Sequence, residues 1–134
     1  MAVKGFEGFS PEAYQCSAGV WTIGYGHTRG VKRGDVISRE EAEMLLRQDL
    51  SEAEDVANNT PGIRTQGQFD AVVDFIYNCG ARAFRRSALR KCIIDGASVE
   101  RIQAEFTRWV YVNCEPLPGL VHRRSWEAEQ WAKT

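Results

Sequence analysis

A strongly apolar helical pattern is the feature of this sequence that most constrains its fold. Between Thr65 and Gly80, apolar residues recur at the three- and four-residue spacing of a helix. Thr65 and Gln68 form a potential capping box at the start, and Gly80 suits the C-terminal cap. A helix this apolar should lie at the centre of the core. Its apolar positions are Phe69, Val72, Val73, Phe75 and Ile76.

The other segments predict further helices and one small sheet. A Ser38/Glu41 capping box begins a helix that should run to about Ala57. The segment 14–36 is rich in aromatic residues and punctuated by glycines, which indicates a small antiparallel sheet. The pattern therefore predicts an α+β fold of five or six helices. The remaining helices are expected over 84–95, after Ser98 with Ile102, Phe106, Trp109 and Val110 on its apolar face, and after Pro118-Gly119.

Length and composition predict one soluble globular domain over residues 1–134, with the sheet at about 14–36 and the helical part at about 38–134. The sequence has neither an apolar run long enough to span a bilayer nor the apolar core of a signal peptide, so self-export is not expected. Few residues precede Glu7, which indicates a short first helix or a missing upstream segment. The net charge of −1 argues against non-specific nucleic-acid binding. The basic stretch 82–124 could face a polyanionic wall or be ordinary solvated surface.

An acid, a thiol and a hydroxyl lie at defined sequence intervals near the N-terminus. Eight residues separate Glu7 from Cys16, and five separate Cys16 from Thr22. Hydrolysis of a glycosidic bond needs one group to protonate the leaving oxygen and a second group across the sugar to stabilise the cation or activate water. Glu7 could be the first group, and Cys16 with Thr22 the second.

This stretch resembles the phage-type lysozymes of glycoside hydrolase family 24, whose signature is Glu, eight residues, Asp or Cys, five residues, Thr. The stretch 38–50 is similar to the helix after the family's small sheet, and 69–80 to its central helix. The stretch 118–124 resembles the C-terminal motif. The resemblance implies a lysozyme-like, mainly helical fold with an active-site cleft between the sheet and the helices.

The resemblance also implies a function. It predicts an endolysin muramidase that cleaves the β-1,4 bond between N-acetylmuramic acid and N-acetylglucosamine in peptidoglycan, for host lysis. The enzyme would be a monomer, held in the host cytoplasm until it reaches the periplasmic wall, and no cofactor or metal is expected. Two alternatives stay open: a peptidoglycan peptidase or amidase using Cys16 and His27, and a wall-binding module without activity.

Each candidate site residue also has a simpler interpretation. Glu7 must be protonated to act as an acid, and the neighbours Phe6, Phe9 and Tyr14 could favour that form; otherwise Glu7 is a surface glutamate. Cys16 replaces the commoner Asp, and a thiol carries no charge until it ionises, so it could instead be a buried structural cysteine. Thr22 alone would be an ordinary strand residue.

Several charged and thiol residues other than Glu7, Cys16 and Thr22 also lead to specific predictions. Asp49 falls on the apolar stripe of its helix, where a carboxylate needs a partner, and His27 is the plausible one. Cys79, Cys92 and Cys114 leave an odd set beside Cys16, which favours reduced thiols, although Cys92 and Cys114 could meet. The remaining candidates are Arg108, Arg123 and Arg124, which could contact glycan carboxylates, pair with Glu7 or another acid, or be surface charge.

Overall fold

The computed structural model describes residues 2–112 and 114–134. Within them the chain forms seven helices and two antiparallel two-stranded sheets. By its backbone contacts it forms two compact units, Met1–Ser51 and Glu52–Thr134. The expectation of a single domain stays a prediction. No helix in the described ranges has both the length and the apolar character needed to cross a membrane.

The N-terminal unit combines a short helix, a hairpin and the first part of a long helix. The hairpin pairs β1 with β2, with Tyr14 opposite Thr22, and its register shifts between Ser10 and Tyr14. β1 therefore begins before the predicted sheet boundary at Tyr14. Pro11, which lacks an N–H, and the irregular register hide the alternation that marks a strand. The elements are α1 (Ala2–Glu7), β1 (Ser10–Gln15), β2 (Trp21–Gly24) and α2 (Arg39–Asn58).

Helix α2 begins where the sequence predicts. The Ser38 hydroxyl accepts a hydrogen bond from the Glu41 backbone at 3.1 Å, and the Glu41 carboxylate accepts one from the Ser38 backbone at 3.3 Å. This reciprocal pair is the predicted capping box. The helix ends at Asn58, one residue past the expected end.

The C-terminal unit is helical, with α3 (Gln66–Cys79) at its centre. The Phe75 ring makes edge contacts with Phe84, Phe106 and Trp109, with centroids 6.1, 5.9 and 5.2 Å away. Residues 71 to 76 of α3 are all buried, which confirms the prediction of a core helix. Around it lie α4 (Ala81–Arg86), α5 (Ala88–Asp95), α6 (Val99–Thr107) and α7 (Pro118–Ala132), and α7 packs against both α3 and α6.

Two sequence expectations for this unit are corrected by the structure, and one element is new. The single helix expected over 84–95 is two helices, because Ser87 is extended and its hydroxyl caps the Arg90 backbone at 3.0 Å. Helix α6 ends at Thr107, so Trp109 and Val110 follow it instead of lying on it. A second hairpin, which the sequence did not predict, joins β3 (Tyr111–Val112) to β4 (Glu115–Pro116).

Candidate active site

Glu7 is the last residue of α1, and this short helix is fixed to α2. Val3 is buried, and the Lys4 ammonium pairs with the Glu43 carboxylate and lies 5.1 Å from the centre of the Tyr25 ring. The hydrogen bond from Lys4 lowers the pKa of Glu43. These contacts hold the backbone that carries Glu7, although a six-residue helix has little stability of its own.

A tight turn after β2 lies against the Glu7 side chain. The backbones of Ile23 and His27 exchange two hydrogen bonds of 2.9 Å, which close a loop of Gly24, Tyr25 and Gly26. Both glycines have positive φ, +64° and +88°, which other residues rarely adopt. The Glu7 carboxyl group packs directly on the Gly26 backbone.

One face of α2 contacts this turn. Ala42 packs where Gly24 has no side chain; a Cβ there would lie 3.1 Å from the Ala42 Cβ. The Tyr25 hydroxyl accepts a hydrogen bond from Arg39 at 3.2 Å and lies 3.5 Å from a Glu43 oxygen. Residues 39, 42 and 43 share one helix face by the three- and four-residue rule. Helix α2 therefore holds the turn at Gly24 and at Tyr25.

His27 closes the turn and pairs with Asp49, as predicted. Its Nδ1 lies 2.7 Å from the Asp49 carboxylate, and its Nε2 lies 2.9 Å from the Arg29 carbonyl. Both partners are acceptors, so each ring nitrogen is already engaged in a structural contact. The pair is partly buried, with His27 13% and Asp49 22% exposed.

Cys16 and Thr22 are linked through one backbone carbonyl in the β1–β2 hairpin. The Val20 oxygen accepts a hydrogen bond from the Cys16 backbone at 2.9 Å and another from the Thr22 hydroxyl at 3.0 Å. Cys16 is half-buried, whereas Thr22 is only 4% exposed. Because the Thr22 proton is committed to Val20, the hydroxyl has lone pairs left to accept a bond from water.

Tyr14 connects the predicted residues electrostatically. It lies opposite Thr22 on the hairpin. Partial burial raises the pKa of the Tyr14 phenol, and repulsion from Glu7 and then Cys16 raises it further. Glu7 and Cys16 therefore both influence the ionisation of the Tyr14 phenol, and Thr22 lies opposite Tyr14 on the hairpin.

Sequence reasoning missed the direct contact of Gly26 with the acid. The glycines of this segment indicated turns or bulges, and nothing local in the sequence tells which of them faces Glu7. The sequence indicates Tyr14 only as an apolar neighbour of Glu7. Its place opposite Thr22 follows from the strand register, which the irregular pairing of β1 obscures.

The arginines of the C-terminal motif are buried, and of the alternatives left open for Arg123 and Arg124 the structure shows pairing with an acid. The Arg123 guanidinium donates two hydrogen bonds of 2.9 Å to Asp74. Arg124 donates to Glu127 at 2.9 Å and makes a second approach of 2.7 Å, with its guanidinium 5.1 Å from the Phe75 ring centre. Buried cations need such partners. The exposed Arg108 contacts Glu105 at 3.3 Å.

The same buried cluster contains a thiol. Arg124 donates to the Cys79 sulfur at 2.8 Å. Burial raises the pKa of this thiol to about 11. Burial, followed by a hydrogen bond with Asp74, raises the pKa of Glu127 to about 10. Cys79 is therefore protonated near neutral pH, and burial disfavours the ionised form of Glu127. All four cysteines are free, so the contemplated Cys92–Cys114 disulfide is absent.

Comparison with known proteins identifies the family. The family described as phage lysozyme matches residues 4–127. The endolysin of Acyrthosiphon pisum secondary endosymbiont phage 1 is 42% identical over 130 residues, covering 93% of this chain and 88% of that protein. The endolysin of Bacillus phage PZA is 39% identical, and the match spans 93% of this chain but only half of that relative.

A solved structure agrees with this assignment. The muramidase domain of SpmX from Asticaccaulis excentricus superimposes with a TM-score of 0.82 at 34% identity, covering 98% of this chain and 92% of that domain. The lysozyme-like fold and the family match together define a glycosidase of the lysozyme class. The chain belongs to the phage lysozyme family. The predictions of a lysozyme-like fold and an endolysin muramidase are confirmed.

Proposed function

We propose that Glu7, Cys16 and Thr22 carry out the muramidase reaction of this chain, the hydrolysis of the β-1,4 bond between N-acetylmuramic acid and N-acetylglucosamine. The protein would act as a monomer on the periplasmic peptidoglycan of the host, after being held in the host cytoplasm until lysis. The observation that carries the proposal is that the Val20 carbonyl joins Cys16 and Thr22 on the hairpin that directly follows α1, the helix that ends at Glu7.

In the proposed reaction Glu7 is the general acid. It protonates the glycosidic oxygen as the bond to the anomeric carbon breaks, which leaves an oxocarbenium-like sugar. Its fixed position on α1 and against Gly26 supports this role, because proton transfer requires the donor within hydrogen-bond reach of the leaving oxygen.

Cys16 and Thr22 act at the other side of the sugar. As a thiolate, Cys16 would stabilise the positive charge or orient water much as a carboxylate does, and direct attack on the anomeric carbon is the other route. Thr22 donates its proton to Val20, so its oxygen would accept a hydrogen bond from the attacking water and leave the water's lone pair toward the sugar.

The main rival is a Cys16–His27 peptidase or amidase. A catalytic histidine has to offer one ring nitrogen to the thiol while a third group orients the other nitrogen. His27 instead contacts Asp49 and the Arg29 carbonyl with its two nitrogens. This arrangement favours a structural role for His27 and supports the glycosidase assignment.

Digestion of purified peptidoglycan tests the proposal. The wild-type protein should clear permeabilised Gram-negative cells and release new reducing ends without new amines. Glu7→Gln should release neither, because the amide keeps the shape but cannot donate the proton. Release of amines would instead assign the peptidase. Full release of reducing ends by a folded Glu7→Gln variant would contradict the role of Glu7.

A further inference from the structure

The Glu7 carboxyl group occupies the space that a side chain at Gly26 would fill. A Cβ built on Gly26 would lie 2.7 Å from Glu7 Cδ, and 2.8 and 3.0 Å from its two oxygens. All three atoms of the carboxyl group are thus in contact with one glycine. Any other residue at this position would have to displace the acid or move the turn.

The turn is held by contacts at three of its residues. Gly24 is packed on Ala42, the Tyr25 hydroxyl is bound by Arg39, and His27 is bound by Asp49. Glu7, by contrast, can rotate about its side-chain bonds. A Cβ at Gly26 would therefore move the carboxyl group while leaving the fold in place.

We infer that Gly26 is a positioning residue for the acid: the bare Cα face of this turn sets where the Glu7 carboxyl group can lie. The inference rests on the proposed role of Glu7. It makes the turn part of the reaction, because an acid displaced by about 1 Å can lose on the order of 100-fold in rate. Glycine is required at this position because it leaves room for the Glu7 carboxyl group and because it can adopt a positive φ.

Gly34 provides a matched control in the same unit. Its φ of +89° nearly equals the +88° of Gly26, but a Cβ at Gly34 would meet nothing within 4 Å. Alanine carries the same backbone penalty at both positions. Any further effect at Gly26 must come from the contact with Glu7.

The first measurement compares Gly26→Ala with Gly34→Ala in the release of reducing ends. Both variants should lose similar melting temperature. Gly26→Ala should lose at least about tenfold in kcat with KM changed little, whereas Gly34→Ala should keep the parental kcat. Equal kcat values in the two variants would overturn the inference.

A second readout does not depend on activity. The side-chain carboxyl carbon of Glu7, assigned by its absence in Glu7→Gln, should change its NMR resonance in Gly26→Ala but not in Gly34→Ala. An unchanged resonance would overturn the inference. If the wild-type protein released no reducing ends while the resonance still moved, the proposed function would fail and the positioning contact would stand.

Failure of Gly26→Ala to fold would have its own test. If the clash with Glu7 is the cause, the double variant Gly26→Ala with Glu7→Ala should fold and melt like Gly34→Ala. If the double variant also failed to fold, the cause would lie in the turn itself and the inference would be wrong.

Discussion

The two units of this protein each hold a glutamate and a cysteine, in opposite environments. Glu7 and Cys16 are half-buried, on a short helix and a hairpin, in electrostatic reach of Tyr14. Glu127 is fully buried, and Cys79 lies with it against Arg124. The comparison shows that residue type alone does not assign chemistry. A carboxyl group fully buried against an arginine stabilises the fold, whereas a half-buried one can meet a substrate.

Removal of Glu127 should have the largest effect on stability. Glu127→Ala leaves the Arg124 guanidinium buried without its carboxyl partner, which typically costs about 3–5 kcal/mol. The free energy of unfolding, measured by urea titration, should fall by this amount, while kcat per folded molecule stays near the parental value. A loss below about 1 kcal/mol would mean that the cluster is not structural.

Substitutions of Cys16 and of Cys79 should have different effects on activity. Cys16→Ser should lose on the order of 100-fold in kcat, since a hydroxyl neither ionises readily nor attacks well. Cys16→Asp should retain activity, because it restores the commoner family residue and a charge. Cys79→Ser is the matched control and should remain active. Equal activity in Cys16→Ser and Cys79→Ser would remove Cys16 from the reaction.

Thiol reagents test the same contrast without mutation. They should inactivate the wild-type enzyme by blocking Cys16, and the Asp variant should resist them. Cys79 should label slowly because its raised pKa keeps it protonated. Since Cys114 is exposed and will also react, labelled sites need mass spectrometry. Activity that survived complete labelling of Cys16 would return that residue to a structural role.

Loss of the His27–Asp49 pair should cost stability but not chemistry. Asp49→Asn keeps the shape and removes the charge at a partly buried contact of 2.7 Å. The free energy of unfolding should therefore fall by on the order of 1 to 3 kcal/mol. Turnover at a temperature where the variant is folded should change little. An unchanged melting temperature with collapsed turnover would favour the Cys16–His27 peptidase.

Much of the fold could be predicted from sequence where the signal lies in a few neighbouring residues. Helix caps at Ser38, Thr65 and Ser98 were predicted from a few adjacent residues, and the Asp49 partner followed from one apolar stripe. The break at Ser87 was missed because the flanking residues continue a helical pattern. Arg123 pairs with Asp74 across 49 residues, so a surface role remained equally compatible with the sequence. The Gly26 contact also depends on tertiary placement.

The pH dependence of stability tests the raised pKa of Glu127. Folding raises the pKa of Glu127 from 4.5 to about 10, so its contribution is full below the unfolded value and is lost as pH rises through the folded one. Glu127→Gln cannot ionise. Between pH 6 and 9 the unfolding free energy of the wild-type protein should therefore fall more steeply than that of the variant. Parallel curves would contradict the raised pKa of Glu127.

The most direct test of the account makes the same change in both units. Glu7→Gln and Glu127→Gln are measured side by side at pH 6, for kcat on peptidoglycan and for melting temperature. The account predicts that Glu7→Gln melts like the parent and loses at least about 100-fold in kcat, whereas Glu127→Gln keeps kcat within about twofold. A folded Glu7→Gln variant with more than about a tenth of parental activity, or a folded Glu127→Gln variant without activity, would contradict it.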